Sequence, residues 1–300
     1  MSGTGTRVHL VDGTYELFRH FFGQPPRPAE DGREIGATRG VLLSVLSLLG
    51  DGATHVGVAT DHVVESFRNQ LWPGYKTGQG IDPALRGQFD LLEESLEALG
   101  VVVWANVELE ADDALASAAA VAADDPTVAQ VVICTPDKDL AQCVVGDRVV
   151  QLDRRREVVS DEDGVREKFG VSPTSIPDWL ALVGDSADGF PGLSGWGKVS
   201  ASTVLAHYVH LEAVPDAAEE WDPGVRRKVR GAAVLAGRLA EQRDLAMLFR
   251  EIATLRVDRS LLGDVGELRW EGPRPEFSEV CDYLRDPSLA RRAHTLADDR

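Results

Sequence analysis

Apolar residues in the first half of the chain alternate between short continuous runs and longer stretches with helical spacing. The short runs predict strands at Arg7–Val11, His55–Ala59, Val101–Trp104 and Val131–Cys134. The longer stretches, whose apolar residues recur at helical intervals, predict helices over Ala37–Leu49, Leu85–Leu99 and Asp112–Ala123. Because strands that alternate with helices form parallel sheets, this half predicts an α/β core with a parallel sheet.

The pattern changes near Val149. The segments Val149–Leu152 and Glu157–Val159 predict a hairpin, and most of the chain after it has helical spacing. The predicted helices are Asp161–Phe169, Ile176–Val183, Val199–Tyr208, Arg226–Glu241 and Leu245–Phe249. We therefore predict an α/β part over residues 1–175 and a helical part over residues 176–300. Residues 61–83 form a long polar connection, and a connection of this length is typical of a functional or mobile segment.

The composition bounds the class of protein. The chain has 300 residues, of which 43% are hydrophobic and 27% charged, as in ordinary globular proteins. It contains no apolar run of about eighteen residues, so we expect no membrane partner. Its N-terminus has no basic region followed by an apolar stretch, so we expect no secretory signal. The three cysteines, Cys134, Cys143 and Cys281, have no CxxC spacing, which favours a reducing cytoplasm over a zinc site or disulfide framework.

The net charge of -18 argues against nucleic-acid binding, because affinity for phosphate comes from lysine and arginine. Two features weaken that argument. Acidic residues at a metal site would be offset by bound cations. The basic residues are also clustered, at Arg154–Arg156 and at Arg226–Lys228 with Arg230. Most of them are arginines, which bind phosphate through two hydrogen bonds at once.

Three aspartates, Asp12, Asp61 and Asp137, follow three separate predicted strands. Each taken alone is more often a turn residue or a helix N-cap. In a parallel sheet, however, all three would lie at the carboxyl edge, where open α/β sheets bind their ligands.

Further acids occur in three short groups. They are Glu110, Asp112 and Asp113 at the start of an alanine-rich helix, Asp139 two residues after Asp137, and Asp185 with Asp188 in a loop between apolar helices. One or two acids in a first helical turn favour the helix dipole, but three repel one another and indicate a cation. Hard oxygen ligands select Mg²⁺ or Mn²⁺. Two such ions can stabilise both the attacking and the leaving oxygen in a phosphoryl displacement.

In order and spacing these residues resemble the 5′-nuclease (flap endonuclease) family, especially the bacterial 5′→3′ exonuclease domain at the N-terminus of DNA polymerase I. The matching segments are Leu10-Val-Asp12-Gly, Ala59-Thr-Asp61 with Ser66-Phe-Arg68, Gly74-Tyr75-Lys76, Glu110-Ala-Asp112-Asp113, Asp137-Lys-Asp139-Leu and Gly184-Asp185-Ser-Ala-Asp188. The resemblance covers residues 7–290. It implies a parallel-sheet (PIN-like) nuclease core, followed by a helical part with a helix–hairpin–helix-type DNA-binding turn at about residues 184–208.

The resemblance also implies roles for the acids. The more tightly bound of two Mg²⁺ or Mn²⁺ ions would lie near Asp12, Asp61, Glu110, Asp112 and Asp113. The second would lie near Asp137, Asp139, Asp185 and Asp188. Asp112 and Asp137 are therefore the acids whose replacement by asparagine should abolish cleavage.

DNA contacts are implied in the same way. Lys76, in an arch-like segment over residues 61–83, would contact the scissile phosphate, and Arg19 resembles the family's active-site arginine. Arg68 and Tyr75 would bind DNA, Tyr75 by stacking on an unpaired base. Gly195, Gly197 and Lys198 would grip the duplex at the turn, with a potassium ion there.

Three positions depart from the family's usual pattern. Lys198 directly follows Gly197 without the usual intervening residue, Gly189 replaces an asparagine, and Gln79 replaces a basic residue. These changes bear on duplex binding and leave all nine acids in place.

The resemblance implies a nuclease that removes flaps and RNA primers near a 5′ end in replication and repair. We expect a cytoplasmic, nucleoid-associated monomer whose partner is DNA with 5′ flaps, nicks or RNA primers. We also expect no attached polymerase, because the chain ends where the nuclease domain would end. One alternative is a non-catalytic DNA-binding or scaffold member of the same family. A phosphatase of the Asp-x-Asp-Gly-Thr type is disfavoured, because Leu10 stands where its nucleophilic aspartate would be.

Overall fold

The structure is a computed structural model that describes residues 5–300. Its strands are β1 (Thr6–Asp12), β2 (His55–Thr60), β3 (Val102–Ala105), β4 (Val128–Cys134), β5 (Val149–Asp153) and β6 (Val158–Ser160). Its helices are α1 (Gly13–Gly23), α2 (Gly36–Gly50), α3 (Arg68–Leu71), α4 (Pro83–Arg86), α5 (Phe89–Ala98), α6 (Ala111–Asp124), α7 (Glu162–Phe169), α8 (Ile176–Val183), α9 (Lys198–Tyr208), α10 (Pro223–Lys228), α11 (Ala232–Glu241), α12 (Arg243–Ala253), α13 (Phe277–Tyr283) and α14 (Ser288–Asp298).

These elements form two compact units, each made of separate stretches of the chain. Unit 1 contains residues 5–64, Gly78–Thr135 and Val257–Arg300. Unit 2 contains Glu65–Thr77 and Pro136–Arg256. These two contact-based units do not coincide with the predicted division of the chain at residue 175. That predicted division stays a prediction.

Unit 1 is built on four parallel strands in the order β3-β2-β1-β4. Its central strand β1 is buried without alternation from Val8 to Asp12, and Val8, Leu10 and Val11 have no exposed surface. A parallel strand covered on both faces has this continuous pattern. Helix α6 packs on β1 and β4, and α1 packs on α2. The parallel sheet and its four strands are thus confirmed.

Unit 2 is mostly helical and also contains the predicted hairpin, in which β5 and β6 pair antiparallel. Its core is rich in large aromatic side chains, including Trp179, Phe190, Trp221 and Phe249. Among residues 5–300, no helix is both long and apolar enough to span a membrane.

Two predicted helices are interrupted. The stretch Leu85–Leu99 is broken between α4 and α5, because Gln88 is buried and its side-chain oxygen accepts a hydrogen bond of 3.0 Å from the Thr38 backbone. The stretch Arg226–Glu241 is broken between α10 and α11, where Gly231 has a φ of 73°. Both breaks depend on tertiary contacts or backbone conformations that apolar spacing does not encode.

Candidate active site

Four carboxylates from three segments of unit 1 form what we call the first acidic cluster: Asp12, Asp61, Glu110 and Asp113. Asp12 ends β1 and Asp61 follows β2, the strand beside it. The backbone N–H of Asp61 donates to the Thr14 hydroxyl at 2.8 Å. Its carboxylate accepts from the backbone N–H of Ala111 at 2.7 Å, which joins it to the start of α6. The structure thus places Asp12 and Asp61 at the ends of neighbouring parallel strands and joins Asp61 to the start of α6, and the role of these acids as metal ligands stays a prediction.

The start of α6 positions the other two acids. The backbone N–H of Glu110 donates to the Asp113 carboxylate at 3.0 Å, so the two residues form a capping box. Asp113 is fully buried and Glu110 is 3% exposed, whereas Asp112 is half-buried. Burying several carboxylates together is unfavourable unless donors or cations offset their charge. Asp12 has such a donor in Thr135, whose hydroxyl lies 2.9 Å away.

Unit 2 carries a second acidic cluster, made of Asp139, Asp185 and Asp188. One carboxylate oxygen from each lies within 4.8 Å of the others, a spacing that could hold a metal ion. Asp139 Oδ1 is buried and has no hydrogen-bond partner. Burial, and then the charges of Asp137 and Asp188, raise the pKa of Asp139 well above its usual range. A cation would satisfy this oxygen and offset the repulsion, so the donor set fits a hard divalent ion.

Asp137 lies beside this cluster without being buried. Its carboxylate accepts a hydrogen bond of 2.9 Å from the backbone N–H of Asp139. Its own backbone carbonyl accepts from the Gln151 side chain on β5. Asp137 is therefore held at the rim of the cluster with its side chain exposed.

Two lysines contact the second acidic cluster. Lys76 Nζ lies 3.1 Å from Asp188 Oδ1, and its backbone N–H donates to the Asp188 carbonyl at 2.9 Å. Lys138 Nζ forms an ion pair with Asp185. Burial lowers the pKa of Lys138, but the hydrogen bond to Asp185 and the charges of the neighbouring aspartates give a net increase. The predicted arch lysine and three predicted ligands are therefore in direct contact or close proximity.

A glycine allows this approach of the arch segment. Gly189 has a φ of 81°, and a Cβ at this position would lie 2.1 Å from the Gly74 carbonyl oxygen. The Gly189 carbonyl accepts a hydrogen bond of 3.0 Å from the Trp72 indole. The departure from the family's asparagine at position 189 thus lets the loop with Asp188 pack tightly against the segment with Lys76.

Arg19 lies on α1, about two turns and roughly 10 Å from Asp12 along the same helix face. Its guanidinium donates to the Glu16 carboxylate at 2.6 Å. Glu16 is 2% exposed. Burial raises the pKa of Glu16, but hydrogen bonds from His20, Arg19 and Ser44 lower it to about 2. The arginine is therefore oriented by an ionised, buried partner.

Arg68 and Tyr75, from which DNA contacts are expected, are both buried in the structure. Arg68 is 2% exposed, and its Nε donates to the Ile252 carbonyl at 2.8 Å. Tyr75 is 4% exposed and belongs to the core of unit 2. Because both side chains pack within unit 2, a DNA contact by either would require local opening, and their DNA-binding role stays a prediction. Burial is decided by the tertiary fold, which the short motifs around these residues do not specify.

The predicted turn precedes α9. Gly197 caps the helix, and its N–H donates to the Ser200 hydroxyl at 3.0 Å. Gly195, Gly197 and Lys198 are all exposed. An exposed helix N-terminus of this kind can accept a phosphate group, and the predicted DNA and potassium contacts of the turn remain predictions.

Sequence reasoning missed two features. One is Lys138, which stands between two predicted ligands and could have been suspected on that ground. The other is a group formed by His62, Asp90 and Glu93, whose ligand atoms also lie within 4.8 Å of one another. His62 Nδ1 lies 2.8 Å from the buried Glu93, and this contact raises the pKa of His62. The ion pair accounts for this group without a metal.

Comparisons with known proteins agree with this geometry. The family model described as 5'-3' exonuclease, N-terminal resolvase-like domain matches residues 7–170. The model described as 5'-3' exonuclease, C-terminal SAM fold matches residues 171–276. DNA polymerase I of Pseudomonas aeruginosa is 35% identical over 279 residues, which are 89% of this chain and 29% of that protein. DNA polymerase I of Rhizobium leguminosarum is 32% identical over 305 residues, 98% of this chain and 29% of that protein.

The chain thus spans less than a third of the length of these relatives. Among solved structures, a T5 5'-exonuclease with bound zinc has a TM-score of 0.65 at 14% identity, covering 97% of this chain and 98% of that one. The catalytic core of Rad2 in complex with a DNA substrate has a TM-score of 0.62 at 15% identity, covering 97% of this chain and 92% of that one. At such identities the comparison shows the fold. Together with the two family models, it establishes that this chain belongs to the 5'-3' exonuclease family of nucleases.

Proposed function

We propose that this chain is a structure-specific 5′→3′ exonuclease and flap endonuclease that hydrolyses phosphodiester bonds near a 5′ end. Its substrates are DNA with flaps or nicks and RNA primers, and it removes them in replication and repair. The proposal treats the chain as a monomer that acts at the nucleoid. The observation that carries it is the second acidic cluster, where a buried oxygen of Asp139 has no partner and Lys76 contacts Asp188.

The metal requirement follows from the donor sets. The first acidic cluster, with Asp112, would hold one divalent ion. The second, with Asp137, would hold another. Carboxylate oxygens favour Mg²⁺ or Mn²⁺. When bound, such ions activate a water molecule and neutralise charge that develops on the phosphate.

The chain's own residues supply orientation. The α6 N-terminus fixes Asp61 through Ala111 N–H, so a first-cluster ligand is held in place before an ion binds. Lys76 is fixed by its backbone contact to Asp188 and can turn its ammonium group from that carboxylate to a substrate phosphate. Arg19, oriented by Glu16, offers a second cation to the phosphate. Exposed Gly195, Gly197 and Lys198 would grip the duplex backbone, which positions DNA without reading bases.

The alternative is a non-catalytic family member that binds DNA without cutting it. The buried Asp139 oxygen without a hydrogen-bond partner argues against this alternative. Such an oxygen destabilises the folded state unless a cation binds it, so a member that binds no metal would be more stable with a neutral residue there.

The test is cleavage of a labelled 5′-flap substrate, with DNA or RNA in the flap, in Mg²⁺, in Mn²⁺ and in a chelator. Asp139→Asn and Asp112→Asn should each lower the cleavage rate by at least about a hundredfold. Asp163→Asn, which changes an exposed acid on α7, is the matched control and should cleave as the wild type does. Cleavage that survives chelation or both cluster variants would refute the proposal. Binding without cleavage in every metal would favour the alternative.

A further inference from the structure

Four of the five residues from Arg226 to Arg230 are basic, in a chain whose net charge is -18. We call Arg226, Arg227, Lys228 and Arg230 the basic patch. All four side chains are exposed, and the patch occupies the end of α10 and the residues that follow it. Cations at a helix C-terminus favour the helix dipole, but a helix of six residues does not need four of them.

Within residues 5–300, the basic patch has no carboxylate partner. No ion pair in residues 5–300 involves any of its four side chains. Asp222 caps the other end of α10, where its carboxylate accepts hydrogen bonds from the N–H groups of Gly224 and Val225. Those hydrogen bonds lower the pKa of Asp222, and the charge of Arg227 adds only a minor contribution. The charge of the patch is thus directed to solvent or to a ligand.

The fold holds the basic patch in place. Val225 directly precedes the patch, and Val229 lies between Lys228 and Arg230. These two valines are 6% and 5% exposed and belong to the core of unit 2. The cap by Asp222 fixes the other end of α10. The basic side chains therefore project from an anchored segment.

The basic patch also lies near the predicted DNA-binding turn. Trp196, inside the turn, packs against Trp221 with ring centroids 6.3 Å apart, and Trp221 lies two residues before the start of α10. Arg238 on α11 donates to the carbonyl of Ser194 at 2.9 Å, and this hydrogen bond connects the turn to the helix that follows the basic patch. At about 1.5 Å per helical residue, the patch lies within roughly 20 Å of the turn. That span corresponds to about six base pairs of duplex DNA.

We propose that the basic patch is a second binding surface for the phosphate backbone of duplex DNA, adjoining the turn before α9. It rests on the proposed function, because it extends the grip on the same substrate. Exposed basic side chains, three of them arginines, can contact a row of phosphates and do not by themselves read bases. The surface therefore adds affinity and salt dependence without sequence preference.

The test is fluorescence anisotropy of flap DNA binding in Ca²⁺, which replaces Mg²⁺ to limit cleavage, over a series of salt concentrations. One variant replaces the four patch residues with alanine. A matched control replaces four exposed arginines of unit 1, Arg86, Arg274, Arg291 and Arg292, so that the net charge changes equally. Circular dichroism and thermal melting check that both variants fold.

The patch variant should lower the slope of log affinity against log salt by about 3.6, since each phosphate contact contributes about 0.9. Over a fourfold rise in salt, the wild type should then lose about 100-fold more affinity than the variant. The control should keep the wild-type slope. A patch variant with the wild-type slope would overturn the inference. A patch that binds an acidic protein in place of DNA would give this same result. A wild type that neither binds nor cuts flap DNA would instead refute the proposed function.

Discussion

The buried carboxylate of Glu16 offers a sharp test of how α1 is stabilised and how Arg19 is oriented. We consider Glu16→Gln, which keeps the shape of the side chain but removes its charge. In the structure this carboxylate accepts from Arg19 at 2.6 Å and from the Ser44 hydroxyl at 2.8 Å, and it is almost fully buried. The substitution therefore removes the ionised partner of a half-buried guanidinium without opening a cavity.

The magnitude follows from the pKa of Glu16, which is lowered from 4.5 to about 2. At about 1.4 kcal/mol for each pH unit, the ionised carboxylate stabilises the folded state by about 3 kcal/mol near neutral pH. Because the folded pKa lies below the unfolded one, this stabilisation is present above about pH 4.5 and is lost as the pH falls towards 2.

The assay is urea unfolding of the wild type and of Glu16→Gln between pH 7 and pH 3. We expect the free energy of unfolding to differ by about 3 kcal/mol at pH 7, and the difference to shrink below about pH 4.5. Glu94→Gln, an exposed change on α5, is the control and should change stability by less than about 0.5 kcal/mol. A difference that is small at pH 7, or that does not shrink with falling pH, would refute the assignment of an ionised Glu16.

Three further changes test the second acidic cluster and its surroundings. Lys138→Met should tighten Mn²⁺ binding by about fivefold, as measured by electron paramagnetic resonance, because a cation that competes for the cluster is lost. Lys138→Arg is the control and should retain the wild-type affinity. Unchanged or weaker binding by Lys138→Met would contradict this prediction. Gly189→Ala should destabilise the protein by about 2 kcal/mol or more and weaken Mn²⁺ binding, because its Cβ would meet the Gly74 carbonyl; wild-type values in melting and binding would show that the approach is not tight. Arg68→Met should lower the free energy of unfolding by about 3 kcal/mol, because the Ile252 carbonyl loses a buried charged donor. DNA affinity of the folded Arg68→Met variant should stay within about twofold, and a larger loss would restore Arg68 as a DNA contact.

The parallel core and its acidic edge could be predicted because their signals are local. A mostly apolar run such as Val8–Val11, which His9 interrupts, is typical of a strand covered on both faces, and Asp12 marks where that strand ends. Sheet geometry then brings Asp12 and Asp61 together without any knowledge of side-chain packing. The helix start at Glu110–Asp113 has a clear capping signal.

Features that depend on distant partners could not be predicted in this way. The break at Gln88 requires the Thr38 backbone, fifty residues away in sequence. Tyr75 sits in a motif that suggests contact with DNA, yet the core of unit 2 encloses it. In these cases tertiary contacts override the local pattern.

The acidic net charge does not conflict with DNA binding, because phosphates respond to nearby charges. At physiological salt, a charge beyond about 8 Å of water is largely screened. Two of the three acids of the second cluster, Asp188 and Asp185, are paired with Lys76 and Lys138. The basic patch is exposed and has no carboxylate partner within residues 5–300. Divalent ions on the clusters would reduce the acidic charge further. The sign of the field that a DNA backbone meets is therefore set by where the chain buries its acids and exposes its arginines, and the sum of its charges does not determine it.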